Sequence, residues 1–166
     1  MLGGAKSGKS ARAESLIKTL GGESVLYVAT AEASGDEELW RRVREHRDRR
    51  PEAWATLELG GGDLTRVLDV AAGYNAVLID SLTLWVSARM NQDDEGVLEH
   101  LGRFLEGASS LDVPFVLVSD EVGLGIVPES AAGRRFRDLL GEANQRVAAT
   151  ASEVHLCVAG NTLRIK

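Results

Sequence analysis

"GGAKSGKS", residues 3–10, sets the reading of everything that follows. It fits the pattern G-x-x-x-x-G-K-[ST], with Gly3, Gly8, Lys9 and Ser10 in the fixed places and Gly4, Ala5, Lys6 and Ser7 between them. The chemistry needs these types. Glycine lets consecutive backbone N–H groups turn inward on a phosphate, the lysine reaches the β and γ oxygens, and the serine hydroxyl can ligate Mg²⁺. A helical pattern over 9–19 would add its N-terminal partial charge. The plainer alternative is a glycine-rich turn that caps a helix. A phosphate loop ordinarily follows a buried strand, and only Met1 and Leu2 precede Gly3. The first strand is therefore expected to be truncated or missing before Gly3.

Outward from the loop, short apolar runs alternate with segments of helical period. "VLYVA" (25–29), "AVLID" (76–80), "PFVLVS" (114–119) and "VHLCV" (154–158) are nearly continuous in apolar residues. That is the mark of parallel strands covered on both faces. "ATLEL" (55–59) and "TLRIK" (162–166) are weaker strands, placed nearer an edge. Helical patterns fill 36–49, 63–72, 81–91, 95–110 and 130–151. The βαβα order predicts an α/β fold with a mostly parallel central sheet and helices on both faces. One nucleotide-binding domain is expected across 1–166. In such sheets ligands bind beyond the carboxyl ends of the strands, and that rule selects the loops to read.

The composition narrows the function classes. The 166-residue chain carries a net charge of −6, with 44 % apolar and 27 % charged residues. A general nucleic-acid binder would show a broad basic surface instead. No apolar run approaches the roughly 20 residues that span a bilayer, so no membrane insertion is expected. Glycines and a lysine follow Met1–Leu2 at once, which is not how a signal peptide opens. The single cysteine, Cys157, sits in an apolar run and reads as a buried thiol, and a reducing cytoplasm is the expected location.

Three further places carry chemistry. Asp80 ends an apolar strand, where its carboxylate would hold Mg²⁺ opposite Ser10, or else simply cap the helix behind it. "DEVGLGIVPES" (120–130) follows the third strand with Asp120 and Glu121 at its carboxyl edge. By residue type it serves equally as a binding loop or as a connector. Third, six arginines and His46 crowd into residues 41–50 of an otherwise acidic chain. On a helix over 36–49, Leu39, Val43 and His46 share one face. That favours a packed core histidine. Against it, Arg47, Arg49 and Arg50 offer guanidinium forks for phosphate oxygens, and Pro51 forces the chain out of helix just beyond. His100, in a helical run, and His155, in a strand, lack such company and default to structural roles.

Together "GGAKSGKSARAE", "VLYVATAE", "RVREHRDRRPEAW", "VLIDSLTLWVS" and "EVGLGIVPESAAGRRFRDLLGEANQRVA" closely resemble the bifunctional adenosylcobinamide kinase/adenosylcobinamide-phosphate guanylyltransferase family of cobalamin biosynthesis. The resemblance runs in order from Gly3 to Lys166. It implies a RecA-like P-loop domain, assembly as a homotrimer, and ATP and GTP as substrates with Mg²⁺. It implies two reactions: phosphorylation of the aminopropanol arm of adenosylcobinamide, then transfer of GMP from GTP to that phosphate with release of pyrophosphate. The histidine that carries GMP corresponds to His46. The nucleotide contacts fall on Gly3 to Ser10, on Ala29, Thr30 and Ala31, on Arg47, Asp48, Arg49 and Arg50, on Glu58, and on Asp80. The short N-terminus, Asp120 where the family often has asparagine, and "GNTLRIK" without the usual proline after its glycine depart from the pattern. Two other readings compete: a monofunctional P-loop small-molecule kinase with a structural His46, and a non-enzymatic nucleotide-dependent binding subunit.

Overall fold

The computed structural model describes residues 1–31, 41, 43, 44, 47 and 50–166. The continuous apolar runs become the middle of a sheet. In chain order the strands are β1 (Leu2–Gly3), β2 (Val25–Ala29), β3 (Ala55–Glu58), β4 (Ala76–Asp80), β5 (Phe115–Asp120), β6 (His155–Val158) and β7 (Asn161–Arg164). They lie side by side in the order β3-β2-β4-β5-β1-β6-β7, and every pairing is parallel except β6 with β7. Five helices lie among the described residues: α1 (Lys9–Gly21), α2 (Thr65–Ala71), α3 (Leu82–Ala88), α4 (Asp94–Ser109) and α5 (Ala131–Thr150). The expected helix bounds hold to within a few residues. The helix expected over 36–49 lies largely outside the described residues, although Arg41, Val43, Arg44 and Arg47 are helical.

Alternation along each strand divides the apolar residues between two layers. Leu26, Val28, Val77 and Ile79 meet Val67 of α2, Trp85 and Val86 of α3, Leu101 and Phe104 of α4, and Leu140 of α5. Val25, Tyr27, Ala29, Leu78, Val116 and Val118 face the other way, onto Ala13 and Ile17 of α1 and onto Trp54. A strand that serves two layers has no polar face to spare, and that is why β2 reads as an unbroken apolar run.

The expected buried strand over 154–158 is only half covered. Val154 and Cys157 are buried, whereas Val158 is exposed, because the exposed β7 closes this side as an antiparallel edge. The tight turn at Ala159 and Gly160 returns the chain, with Gly160 at φ 78°. At the other edge β3 is outermost, as its weaker pattern predicts. β1 is two residues long, yet it sits inside the sheet: Leu2 pairs with Ser119 on one side and Leu156 on the other. The loop that follows it is thus carried at the carboxyl edge between β5 and β6.

Candidate active site

The turn from β1 into α1 is built around two glycines. A Cβ on Gly3 would stand 2.5 Å from Ser7 Oγ and 2.7 Å from the Cys157 carbonyl, so only glycine lets the loop pack this closely on β6. Gly8 adopts φ 95°, a left-handed conformation, as the N-cap of α1. Its carbonyl accepts from Arg12 N at 3.0 Å, and the Ser7 carbonyl accepts from Gly160 N at 2.9 Å. Arg12 then donates through Nε and Nη2 to the Gly160 carbonyl at 3.1 and 2.9 Å. The β6–β7 turn therefore braces the loop from outside. Nothing in "AGNT" signals what this turn touches.

Lys9 is nearly buried. Its Nζ donates to the Gly4 carbonyl at 3.2 Å and pairs with Asp120 Oδ1 at 2.5 Å. Asp120 lies at the end of β5, in register with Gly3. Its N–H donates to Thr83 Oγ1 at 2.7 Å, and its carbonyl accepts from Asn144 Nδ2 at 3.1 Å. Two sequence signals point to it, a carboxylate at a strand's carboxyl edge and a place where the resembling family often has asparagine, and neither names its partner.

Asp80 closes β4, two strands from the loop. Ser81 caps α3, accepting from Leu84 N at 3.3 Å, so Asp80 is not the cap. Tyr27 donates its hydroxyl to Asp80 Oδ2 at 2.8 Å. Burial first, and the Asp80 carboxylate second, hold the Tyr27 phenol well above its ordinary value, so it remains a donor. Arg50 stacks its guanidinium 3.3 Å over the Tyr27 ring and reaches Thr56 Oγ1 at 3.3 Å. This places an arginine of the basic segment beside the strand that carries Asp80.

Among the remaining expected residues, Ala29 ends β2 with Thr30 directly after it, and Glu58 ends β3, all at the same edge of the sheet. The Ala29 carbonyl accepts from Leu59 N and Gly60 N at 2.8 and 3.1 Å. Thr30 is fully buried and its hydroxyl is committed to Ser81, accepting from its N–H at 2.6 Å and donating to its carbonyl at 2.7 Å. Thr30 therefore ties the tip of β2 to the Asp80 turn. Ala31 follows at the surface side of the same tip, and Arg47 is exposed and helical. His46, Asp48 and Arg49 lie outside the described residues.

The ends of β1, β2, β4 and β5 thus converge on one edge that offers loop amides, a lysine, a serine and two carboxylates. Over residues 1–165 the chain matches the family model CobU, described as Cobinamide kinase / cobinamide phosphate guanyltransferase. It belongs to that family. The cobinamide kinase/guanyltransferase family supplies both activities and a P-loop NTPase-like domain, in agreement with the α/β expectation. The chain is 40 % identical to the bifunctional adenosylcobalamin biosynthesis protein CobP of Pseudomonas aeruginosa, covering 100 % of this chain and 95 % of that one. It is 36 % identical to the corresponding CobU proteins of Salmonella typhimurium and Escherichia coli, in each case over 99 % of this chain and 97 % of theirs. For this family member the monofunctional-kinase and non-enzymatic readings are set aside.

Proposed function

We propose that the edge just described binds nucleoside triphosphate and serves both reactions of adenosylcobinamide activation in adenosylcobalamin biosynthesis. The observation that supports this most strongly is the phosphate loop at the carboxyl edge, with Lys9 buried against it and Asp80 at the same edge two strands away on β4. The loop amides of Gly3 to Ser10 cradle the phosphates, and Lys9 neutralises charge on the β and γ oxygens as the γ-phosphoryl leaves. Ser10 and Asp80 are hard oxygen donors, and they form a two-residue set rather than a cage. No cluster of three or more His, Cys, Asp or Glu that could hold a metal occurs among the described residues. Ser10 and Asp80 would hold magnesium, which would supply charge neutralisation when bound.

In the kinase step the acceptor hydroxyl attacks the γ-phosphorus and the nucleoside diphosphate departs. In the second step His46, as neutral imidazole, attacks the α-phosphorus of GTP and pyrophosphate leaves. The acceptor phosphate then displaces the imidazole to give adenosylcobinamide-GDP. Arg47, Arg49 and Arg50 hold the anionic groups bidentately, Ala29, Thr30, Ala31 and Glu58 border the nucleotide, and Asp48 lies within the same segment. The position of Arg50 beside Tyr27 and Asp80 supports bringing this segment to the loop. No helix among the described residues is long and apolar enough to cross a membrane. Exposed Leu124, Ile126, Val158 and Leu163 leave apolar surface that association would cover, and the homotrimer itself is proposed from the family resemblance.

The test is GTP labelled at the α-phosphate, given with Mg²⁺ and no corrinoid, followed by denaturation and peptide mapping. Acid-labile, base-stable label on the peptide containing His46, lost in His46→Ala, is expected. A folded, GTP-binding protein that takes up no label removes the covalent step.

A further inference from the structure

Lys9 already has a counterion. Its Nζ lies 2.5 Å from Asp120 Oδ1, with the lysine side chain 9 % exposed and the aspartate 25 %. The carboxylate is not carried on a loose loop. Thr83 Oγ1 accepts from the Asp120 N–H, the buried Asn144 donates Nδ2 to its carbonyl, and the neighbouring β1 pairs Gly3 with it in register. Glu121, next in the chain, donates its backbone N–H to the Gly3 carbonyl at 3.2 Å. Asp120 is thus fixed from three sides against the loop that has to receive phosphate.

Two electrostatic consequences follow, resting on the assignment of Lys9 to the β and γ oxygens. A phosphate oxygen that engages Lys9 competes with a carboxylate already in charge-assisted contact. It also arrives beside that carboxylate, and like charges at such range repel strongly where water is partly excluded. Both effects grow with the negative charge of the incoming group. A triphosphate whose charge is partly neutralised by a divalent cation meets less of this opposition than the bare nucleotide.

We propose that Asp120 is a specificity-determining residue of the phosphate site, setting a charge threshold that favours the metal-complexed triphosphate over metal-free nucleotide. The loop amides and Lys9 provide the attraction, and Asp120 sets which ionic form of the nucleotide benefits from it. Its role is separate from bond-making and is read at equilibrium.

The experiment measures the Kd of GTP by titration calorimetry, in Mg²⁺ and in EDTA, for wild type, Asp120→Asn, Asp120→Glu and Lys9→Ala. In Asp120→Asn metal-free GTP binds tighter by at least about fivefold, within the usual range of intersite coupling. Mg–GTP tightens by a smaller factor, so the ratio of the two constants shrinks. Asp120→Glu, which keeps the charge, keeps the wild-type ratio. A residue that merely supported the fold would weaken both forms. Unchanged or weaker metal-free binding in Asp120→Asn, or tightening of both forms by one factor, overturns the proposal. Mg–GTP affinity unchanged in Lys9→Ala would instead overturn the phosphate-loop assignment on which it rests.

Discussion

Nε2 of His100 faces Asp63 Oδ1 at 2.7 Å and also accepts from Leu64 N at 3.2 Å, with the ring edge-on to Trp85. Burial holds the imidazole below its ordinary value of 6.5, only partly countered by the Asp63 carboxylate. The unfolded chain therefore takes up the proton first. Stability is complete above about pH 6.5 and declines as pH falls below it toward the folded value. Asp63, whose carboxyl is depressed chiefly by the Thr65 hydroxyl, stays charged through that window. Thermal unfolding between pH 8 and pH 5 should show a fall in Tm on acidification that His100→Gln flattens. An equal fall in both proteins would remove His100 as its source. The histidine assigned a structural role in the sequence thus has one. Lys9 was legible because its motif is local, eight consecutive residues. Its partner Asp120 was not, because only the insertion of β5 beside β1 brings them together. Thr30 was legible as a residue of the strand tip, but its hydroxyl's commitment to Ser81 depends on a turn 51 positions on.

Elements declared themselves wherever local chemistry was sufficient. The helix expected over 130–151 begins where its local chemistry allows, and Ser130 caps α5 by accepting from Gly133 N at 3.1 Å. Arg134 returns to the Pro128 and Glu129 carbonyls at 3.0 and 2.6 Å, so the cap also fixes the end of the 121–130 loop. Ser130→Ala should cost about 1 kcal/mol of stability, measured by denaturant unfolding. An unchanged midpoint would show that Arg134 alone holds this junction. The failures at this scale were of exposure and direction. "VHLCV" has the apolar density of a covered strand, yet β6 is flanked by an exposed antiparallel β7. Density reports β propensity, whereas burial depends on what lies alongside, and that is not local information.

At the scale of the molecule, apolar side chains remain at two surfaces. Leu124, Ile126 and Val127 are 85 %, 97 % and 59 % exposed on the loop after β5, and Val158, Leu163 and Ile165 are more than half exposed on the β6–β7 edge. An uncovered apolar edge invites association. Light scattering at working concentration should give three times the 17.8 kDa chain mass. A mass of one chain would remove the trimer and leave the edge uncovered in solution. The α/β plan was legible from the alternation of runs. The stoichiometry came only from resemblance, because no residue pattern in the chain counts its copies.

The bracing of the phosphate loop by the β6–β7 turn has a consequence in time. Residues 3–10 leave the ribosome early, but the groups that shape them leave late: Leu156 and Cys157 flank β1, and Gly160 meets Ser7 and Arg12. Closing so long a separation is entropically slow. During synthesis, at roughly 5–20 residues per second, residues 3–10 are made well before the strand and turn that wall them. The loop proposed to hold nucleotide is therefore walled only once residues 156–160 have been added, and a chain interrupted before them would display the motif without its brace.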